Sequence, residues 1–285
     1  MGGPASEPHS VTDPDALIAI ARRAAAAGAN AIISREGSAG SVRFKSSETD
    51  PVSESDEAAE IAIRAVIEAE RPLDAIVGEE GEAVSGSSGL RWVIDPLDGT
   101  VNYLYGIPQW CVSVAVEDES GPLVGVVLDP SRNEEFSAVR GQPAMLNGSP
   151  IAVRGAHQPA ADPLDGVLLA TGFSYEAPVR ALQGEVFVDL IERVRDIRRG
   201  GSAALDLCWA AIGRVDAYLE HGGRVWDVSA AGLVCRSAGL ETRMLPSHDG
   251  WPAGLVAAPA GLCVPLAAAF GYEVEPPEWP STPIY

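Results

Sequence analysis

The sequence predicts a mixed α/β fold in which helices and sheets stack in layers. Three observations carry this reading. Strand patterning is continuous over residues 111–140, and helical and strand patterns alternate through the second half. Of the 285 residues, 46% are hydrophobic and 21% charged, enough to fill a core at this length.

Residues 1–12 read as a flexible tail. Asp13 then caps a helix, Pro14 takes its first position, and an Ala/Ile/Leu-rich run carries it to Gly28. Residues 34–50 show no periodicity and read as a loop. Ser53-Glu54-Ser55-Asp56 has the Ser-x-x-acid pattern of a capping box and opens a helix that Arg71-Pro72 ends. The run DAIVGEEG (74–81) is a short strand emptying into an acidic loop, and RWVID (91–95) is a strand stopped by Pro96. CVSVAVE (111–117), LVGVVLD (123–129) and FSAVR (136–140) are strands, the first two joined through Gly121-Pro122, and Asn147-Gly148 marks a hairpin. GVLLATGF (166–173) reads as a buried strand, followed by helices over 182–195 and 202–213. Strand VDAYLE (215–220), a helix over 226–238, strand GLVAAP (254–259) and a short helix over 263–270 complete the pattern. The whole reads as one domain over 13–275, with halves at about 13–155 and 156–275, and a proline-rich exposed tail over 276–285.

The formal net charge is −20, from 40 acidic and 20 basic residues. No basic stripe is available to hold nucleic-acid phosphates, so no nucleic-acid partner is expected. Bound cations would offset the acidic field for an anionic ligand. No apolar stretch approaches the length of a bilayer span and the start lacks a signal peptide, which predicts no membrane partner and a cytoplasmic protein. Cys111, Cys208, Cys235 and Cys263 lie far apart in mostly apolar runs and read as buried reduced thiols. Lys45 is the single lysine among the basic residues.

The strongest chemical signal is Asp95-Pro96-Leu97-Asp98-Gly99-Thr100 at a strand end. Two carboxylates three residues apart there can face one cation, and hard oxygen donors suit Mg2+. Gly99 lets the backbone approach a ligand, and the Gly99 and Thr100 amides would open a helix as an anion cradle. Gly78-Glu79-Glu80-Gly81 places adjacent acids at another strand end, and Asp227 begins a helix of small apolar residues. Alone, each has an ordinary use: an Asp-Pro turn, a solvated acidic loop, a helix cap.

Together these segments resemble the inositol monophosphatase family. DPLDGTVNY and WDVSAAG resemble its two signature motifs, and VGEE its third metal segment. DPVSESD, preceded by Lys45, matches its lysine-containing loop, and GSAALD and DAYLEHGGRVWD match its substrate-lining region, all in family order over residues 45–240. The resemblance implies a layered αβαβα sandwich and Mg2+, two or three ions per site, held by Glu79, Asp95, the Leu97 carbonyl, Asp98 and Asp227. It implies that Glu79, Thr100 and Asp56 position the attacking water, and that Leu97, Asp98, Gly99, Thr100, Gly201, Ser202, Ala203, Glu220 and Asp227 meet the substrate. Lys45 and Glu80 are possible loop contributors, and a homodimer is expected. Two departures stand out: Arg236-Ser237-Ala238-Gly239-Leu240 replaces a glutamate and double glycine, and Arg224 stands where some members carry His.

The activity so implied is hydrolysis of a small phosphate monoester, first inositol 1-phosphate. Histidinol phosphate, fructose 1,6-bisphosphate and 3′-phosphoadenosine phosphates remain open, since Glu220 suits polyol hydroxyls or an ammonium. A regulatory or RNA-associated protein on the same fold is the alternative of another class. His221 reads as a substrate contact or a bystander at the rim, and Trp110, Trp209 and Trp226 as packing residues.

Overall fold

The computed structural model describes residues 13–35, 42–44, 51–151, 162–273 and 275–279. Helix α1 (Pro14–Ile33) starts on Asp13, whose carboxylate accepts from the Asp15 amide at 3.1 Å. It runs on through the expected stop at Gly28, which sits inside the helix, where a Cβ would meet Ile63 at 2.8 Å. That glycine serves close packing rather than helix termination. Strand β1 (Val42–Phe44) pairs antiparallel with β2 (Pro51–Ser53), so the stretch expected to be loop contains a strand. Helix α2 (Glu54–Glu70) has the expected capping box between Ser53 and Asp56.

Strands β3 (Ala75–Gly78) and β4 (Arg91–Asp98) are parallel neighbours. Contrary to expectation, β4 continues beyond Pro96. Its pairing with β5 shifts register between Asp95 and Asp98, and this irregularity accommodates a residue with no amide to donate. After α3 (Thr100–Leu104) come β5 (Cys111–Asp118), β6 (Gly121–Asp129), β7 (Glu134–Val139), β8 (Met145–Leu146) and β9 (Ser149–Pro150). With β3 and β4 they form a seven-stranded sheet in chain order. Asn147 and Gly148 have φ of 49° and 76°, as the two-residue hairpin requires.

The second half contributes β10 (Leu168–Thr171), α4 (Ala177–Leu190), β11 (Asp196–Arg198), α5 (Ala203–Ala211) and β12 (Ala217–His221). It ends with α6 (Val225–Ala238), β13 (Glu241–Leu245), β14 (Gly254–Ala258) and α7 (Cys263–Ala269). Five strands form a sheet in the order β11-β10-β12-β14-β13. Helix α4 begins earlier than expected because Pro178 falls in its first turn. The edge strands β11 and β13 were not foreseen; DIR and ETRML are too short and polar to stand out.

Side-chain parity builds the layers. Trp92, Ile94, Val112, Val114 and Val116 point to one face of the large sheet and pack with Leu17, Ile20 and Ile63 of α1 and α2. Val93, Cys111 and Ala115 point to the other face, against Leu205, Cys208, Ala230 and Val234 of α5 and α6. Leu169, Leu219 and Val256 then face Leu190 and Leu266 of α4 and α7 across the smaller sheet. The result is the αβαβα sandwich. Two polar residues of β5 face α6: Ser113 Oγ donates to the Trp226 carbonyl at 3.3 Å, and Glu117 accepts from Ser229 Oγ at 2.7 Å.

Two expectations change. Helix α1 is long and apolar enough to cross a bilayer by length and composition. Leu17, Ile20, Ala24 and Ile32 are nonetheless buried in the protein core. The C-terminal segment is not wholly exposed, because Trp279 is only 2% exposed. Its ring lies where a Cβ on Gly232 would approach it to 2.6 Å, and its carbonyl accepts from Arg236 at 2.6 Å. The departure at Arg236 thus anchors this segment. All four cysteines are buried and free, as expected. Trp279→Ala should cost about 3–5 kcal/mol in urea unfolding, the usual penalty for emptying a large aromatic site. A loss below about 1 kcal/mol would show that the segment is not part of the core.

Candidate active site

A cavity of about 330 Å³ opens where the exit of β4 meets the starts of α5 and α6. Glu79, Asp95, Leu97, Asp98, Gly99, Thr100, Gly201, Ser202, Ala203, Glu220 and Asp227 all line it. The structure therefore brings together, from both halves, every metal- or substrate-contact position named from the sequence except the loop contributors. Glu80 is not on the wall, and Lys45 lies outside the described residues.

The irregular end of β4 sets the first group. Asp95 is 1% exposed and turns one carboxylate oxygen to the Leu97 amide at 3.0 Å. Asp98 reaches across to α5, accepting from the Ala203 amide at 3.2 Å, the Ala204 amide at 2.8 Å and the Ser202 hydroxyl. Ser202 also caps α5, its oxygen accepting from the Leu205 amide at 3.3 Å. Its hydroxyl donates to Asp98, so it orients that carboxylate at the start of α5.

Gly99 has a φ of 96°, and a Cβ there would meet the Gln109 carbonyl at 2.8 Å, so both conformation and space require glycine. Thr100 Oγ1 lies 2.9 Å from Asp56 Oδ1 and 3.0 Å from the Leu97 carbonyl. Asp56 divides its oxygens: Oδ2 closes the capping box on the Ser53 amide at 2.9 Å, and Oδ1 faces Thr100. Asp56 therefore sits one contact behind the cavity wall. The capping and site roles coexist in one side chain.

Asp227 lies in the first turn of α6 and accepts from the Arg224 amide at 2.7 Å, the capping geometry that the sequence allowed. Glu220 is held by the Tyr218 hydroxyl at 3.0 Å and occupies the space a Cβ on Gly172 would need. Both keep part of their surface open to the cavity while protein encloses the remainder.

The electrostatics follow from this gathering. Burial, then the charges of Glu79, Asp98 and Asp227, hold Asp95 well above the usual carboxylate range. Burial, then Glu79 and Asp98, does the same to Asp227. Asp98 is also raised by burial, but the hydrogen bonds from Ser202, Ala204, Ala203 and Cys111 pull it back. Among the described residues no arginine forms an ion pair with Asp95, Asp98 or Asp227. Nor does any group of three or more His, Cys, Asp or Glu side chains form a ready-made coordination sphere. Asp95, Asp98 and Asp227 are turned instead to the backbone amides just named. The donor set is all oxygen and its charges repel one another, which suits a hard divalent cation.

Several residues of the site were not singled out from the sequence. Asn102 Nδ2 donates to the Gln109 carbonyl at 2.7 Å and the Gly200 carbonyl at 2.9 Å, tying α3 to the loop before α5. Asp206 lines the cavity beside Glu220; burial and the Glu220 charge raise it to about 8. Burial raises Glu220 to about 7, against the lowering effects of Tyr218 and Arg199. Both fall inside the motifs DPLDGTVNY and GSAALD, but the contacts of Asn102 with Gly200 and of Asp206 with Glu220 join segments apart in the sequence. His221 is part of the cavity lining rather than a rim residue, and it is 1% exposed, with its ring among Trp251, Phe270 and Tyr272. The Tyr272 hydroxyl donates to the Pro246 carbonyl at 2.7 Å and so accepts from His221 Nε2 at 3.1 Å. Burial lowers this imidazole to about 4. Trp110, Trp209 and Trp226 all pack against the core as expected; Trp226 also lines the cavity, and Trp209 lies under Arg132 and Arg214.

Comparison with known proteins agrees with this geometry. The chain is 41% identical over 247 residues to an inositol-1-monophosphatase SuhB of Mycobacterium tuberculosis, covering 83% of this chain and 84% of that one. It is 45% identical over 197 residues to a Nus factor SuhB of Xylella fastidiosa, covering 69% and 70%. The structure of the suhB protein of Bartonella henselae superposes with a TM-score of 0.80 at 29% identity, covering 91% of this chain and all of that one. The sequence profile of the inositol monophosphatase family matches residues 13–266, and this chain belongs to that family.

Proposed function

We propose that the protein is a Mg2+-dependent phosphatase that hydrolyses a small phosphate monoester, first inositol 1-phosphate. The observation that carries this reading is the convergence of Glu79, Asp95, Asp98 and Asp227 on one cavity next to an ordered Thr100–Asp56 pair. Glu79, Asp95, the Leu97 carbonyl, Asp98 and Asp227 would hold two or three Mg2+ ions. When bound, Mg2+ acidifies water and neutralises charge on phosphate and leaving oxygens.

The chain's own groups supply the remainder. Thr100 Oγ1 donates to Asp56, which leaves its lone pairs to accept a hydrogen bond from an attacking water. Asp56 is fixed in turn by Ser53, so the pair orients that water, and as the water's proton passes to Thr100 Oγ1 the threonine's own proton passes to the Asp56 carboxylate. The Gly99 and Thr100 amides at the start of α3 would meet the phosphate oxygens. Phosphoryl transfer depends mostly on positioning and charge neutralisation, and rigid strand and helix ends provide the first. Glu220, oriented by Tyr218, would accept hydrogen bonds from the alcohol portion.

Phosphate release should be measured on inositol 1-phosphate, histidinol phosphate, fructose 1,6-bisphosphate and 3′-phosphoadenosine 5′-phosphate, with and without Mg2+. Metal-dependent release, strongest on inositol 1-phosphate and abolished by Asp95→Asn, is the expected result. No release from any of the four by folded protein would favour the regulatory reading that the Nus-factor relatives raise. Glu220→Gln should raise KM for inositol 1-phosphate about tenfold or more, the loss expected for one hydrogen bond to a charged group, with a smaller change in kcat. An unchanged KM would remove Glu220 from substrate binding.

A pH prediction follows from Asp206. Its folded pKa is raised to about 8 from the usual value near 4, so the stability its protonated form contributes is complete at low pH and lost as pH rises towards 8. With a chelator present, Asp206→Asn should therefore raise Tm, by about a few degrees at pH 8 and progressively less towards pH 5. A gain independent of pH would contradict that assignment.

A further inference from the structure

Helix α2 carries a second buried acid one turn beyond Asp56. Glu60 is 3% exposed, and its two oxygens accept from the Glu80 amide at 2.8 Å and the Gly81 amide at 2.9 Å. Arg64 Nε donates to it at 2.7 Å. Asp56, Glu60 and Arg64 are spaced four apart, so one face of α2 presents all three. The receiving turn is shaped to admit this carboxylate: a Cβ at Gly78 or Gly81 would meet Glu60 Oε1 at 2.4 Å or 2.5 Å. Neither glycine has a positive φ, so what each supplies is room.

Glu79 lies between those glycines. On its strand side the Glu79 amide donates to the Ile94 carbonyl at 3.2 Å, and its residue is the last tied to β4. The next two amides, of Glu80 and Gly81, are the ones Glu60 holds. Hydrogen bonds from backbone N–H groups to an ionised carboxylate are strong and directional, and the Arg64 guanidinium balances the buried charge.

We propose that Glu60 is a positioning residue that fixes the turn carrying Glu79 and thereby sets the affinity of the site for its divalent cation. This rests on the reading of Glu79 as a cation ligand. Glu60 touches neither substrate nor cation and acts through the peptide backbone beside Glu79. Helix α2 is then a common mount: its first turn aligns Thr100 through Asp56, and its second aligns Glu79 through Glu60. A shift of α2 would misplace both groups together.

The test is Mg2+ binding by isothermal titration calorimetry on the full chain, with the metal alone, beside kcat and KM at saturating Mg2+. Glu60→Gln keeps the shape but offers one acceptor oxygen for two amides. The inference predicts Mg2+ affinity weakened about 10–100-fold, the usual range for groups that orient a metal ligand, with substrate KM changed less than about twofold. Gly81→Ala attacks the same contact from the turn and should weaken Mg2+ binding in the same direction, which keeps the test available if Glu60→Gln does not fold. Ile63→Val, on the same helix, is the stability control and should bind Mg2+ like the parent. Unchanged affinity in folded Glu60→Gln or in Gly81→Ala overturns the inference, and so does an equal loss in Ile63→Val. If the parent hydrolyses phosphate with Mg2+ while these variants bind it normally, the phosphatase reading stands and only the role of Glu60 falls. If the parent neither binds Mg2+ nor releases phosphate, the phosphatase reading falls and this inference with it.

Discussion

Mutual repulsion among buried carboxylates is the constraint on which this structure turns. Asp95 and Asp227 are lifted well above the usual range by burial and by each other's neighbours, and Asp98 shares the same enclosure. Such a cluster costs folding free energy unless something compensates it. The chain compensates in part with backbone amides at strand and helix ends, which are fixed donors that cost no side-chain entropy. A hard cation would complete the compensation, and the same charges then become a means of holding it.

The cluster also explains how the two halves join. Asp98, from the large sheet, accepts from the start of α5, and Asn102 reaches the Gly200 carbonyl just before it. Ser113 and Glu117 of β5 meet the Trp226 carbonyl and Ser229 of α6. These polar contacts run along the middle layer, with Asp98 at the end where the cavity opens and Glu117, opposite Arg91, at the other end of the strands. The hydrophobic layers supply most of the packing, and these contacts fix the register in which the halves face each other. Groups taking part in catalysis would need that register held closely, since small displacements are costly in positioned reactions.

Much of this was legible in the sequence because the informative signals are local. The capping box at Ser53–Asp56, the hairpin at Asn147-Gly148 and the strand runs of β5 and β6 each depend on residues close in the chain. The carboxylates at 95 and 98 were legible for the same reason, since a strand end and a two-residue gap set their direction. Residues whose meaning depends on distant partners were not. Gly28 looked like a helix stop until Ile63 was seen against it, and Pro96 looked like a strand end until the register shift absorbed it. Trp279 looked like part of a tail because its partners, Gly232 and Arg236, lie more than forty residues away. Glu60 read as one more acid on a charged helix, since its targets are amides some twenty residues on.

The central claim is that the carboxylate cluster is a divalent-cation site. Crystals grown or soaked with Mn2+, a scatterer that stands in for Mg2+, would test it through anomalous difference density. The account predicts strong peaks within coordination distance of Asp95, Asp98 and Asp227, with at least one also near Glu79 and the Leu97 carbonyl. Crystals that take up Mn2+ elsewhere, or not at all, while these side chains stay on their backbone amides would contradict it.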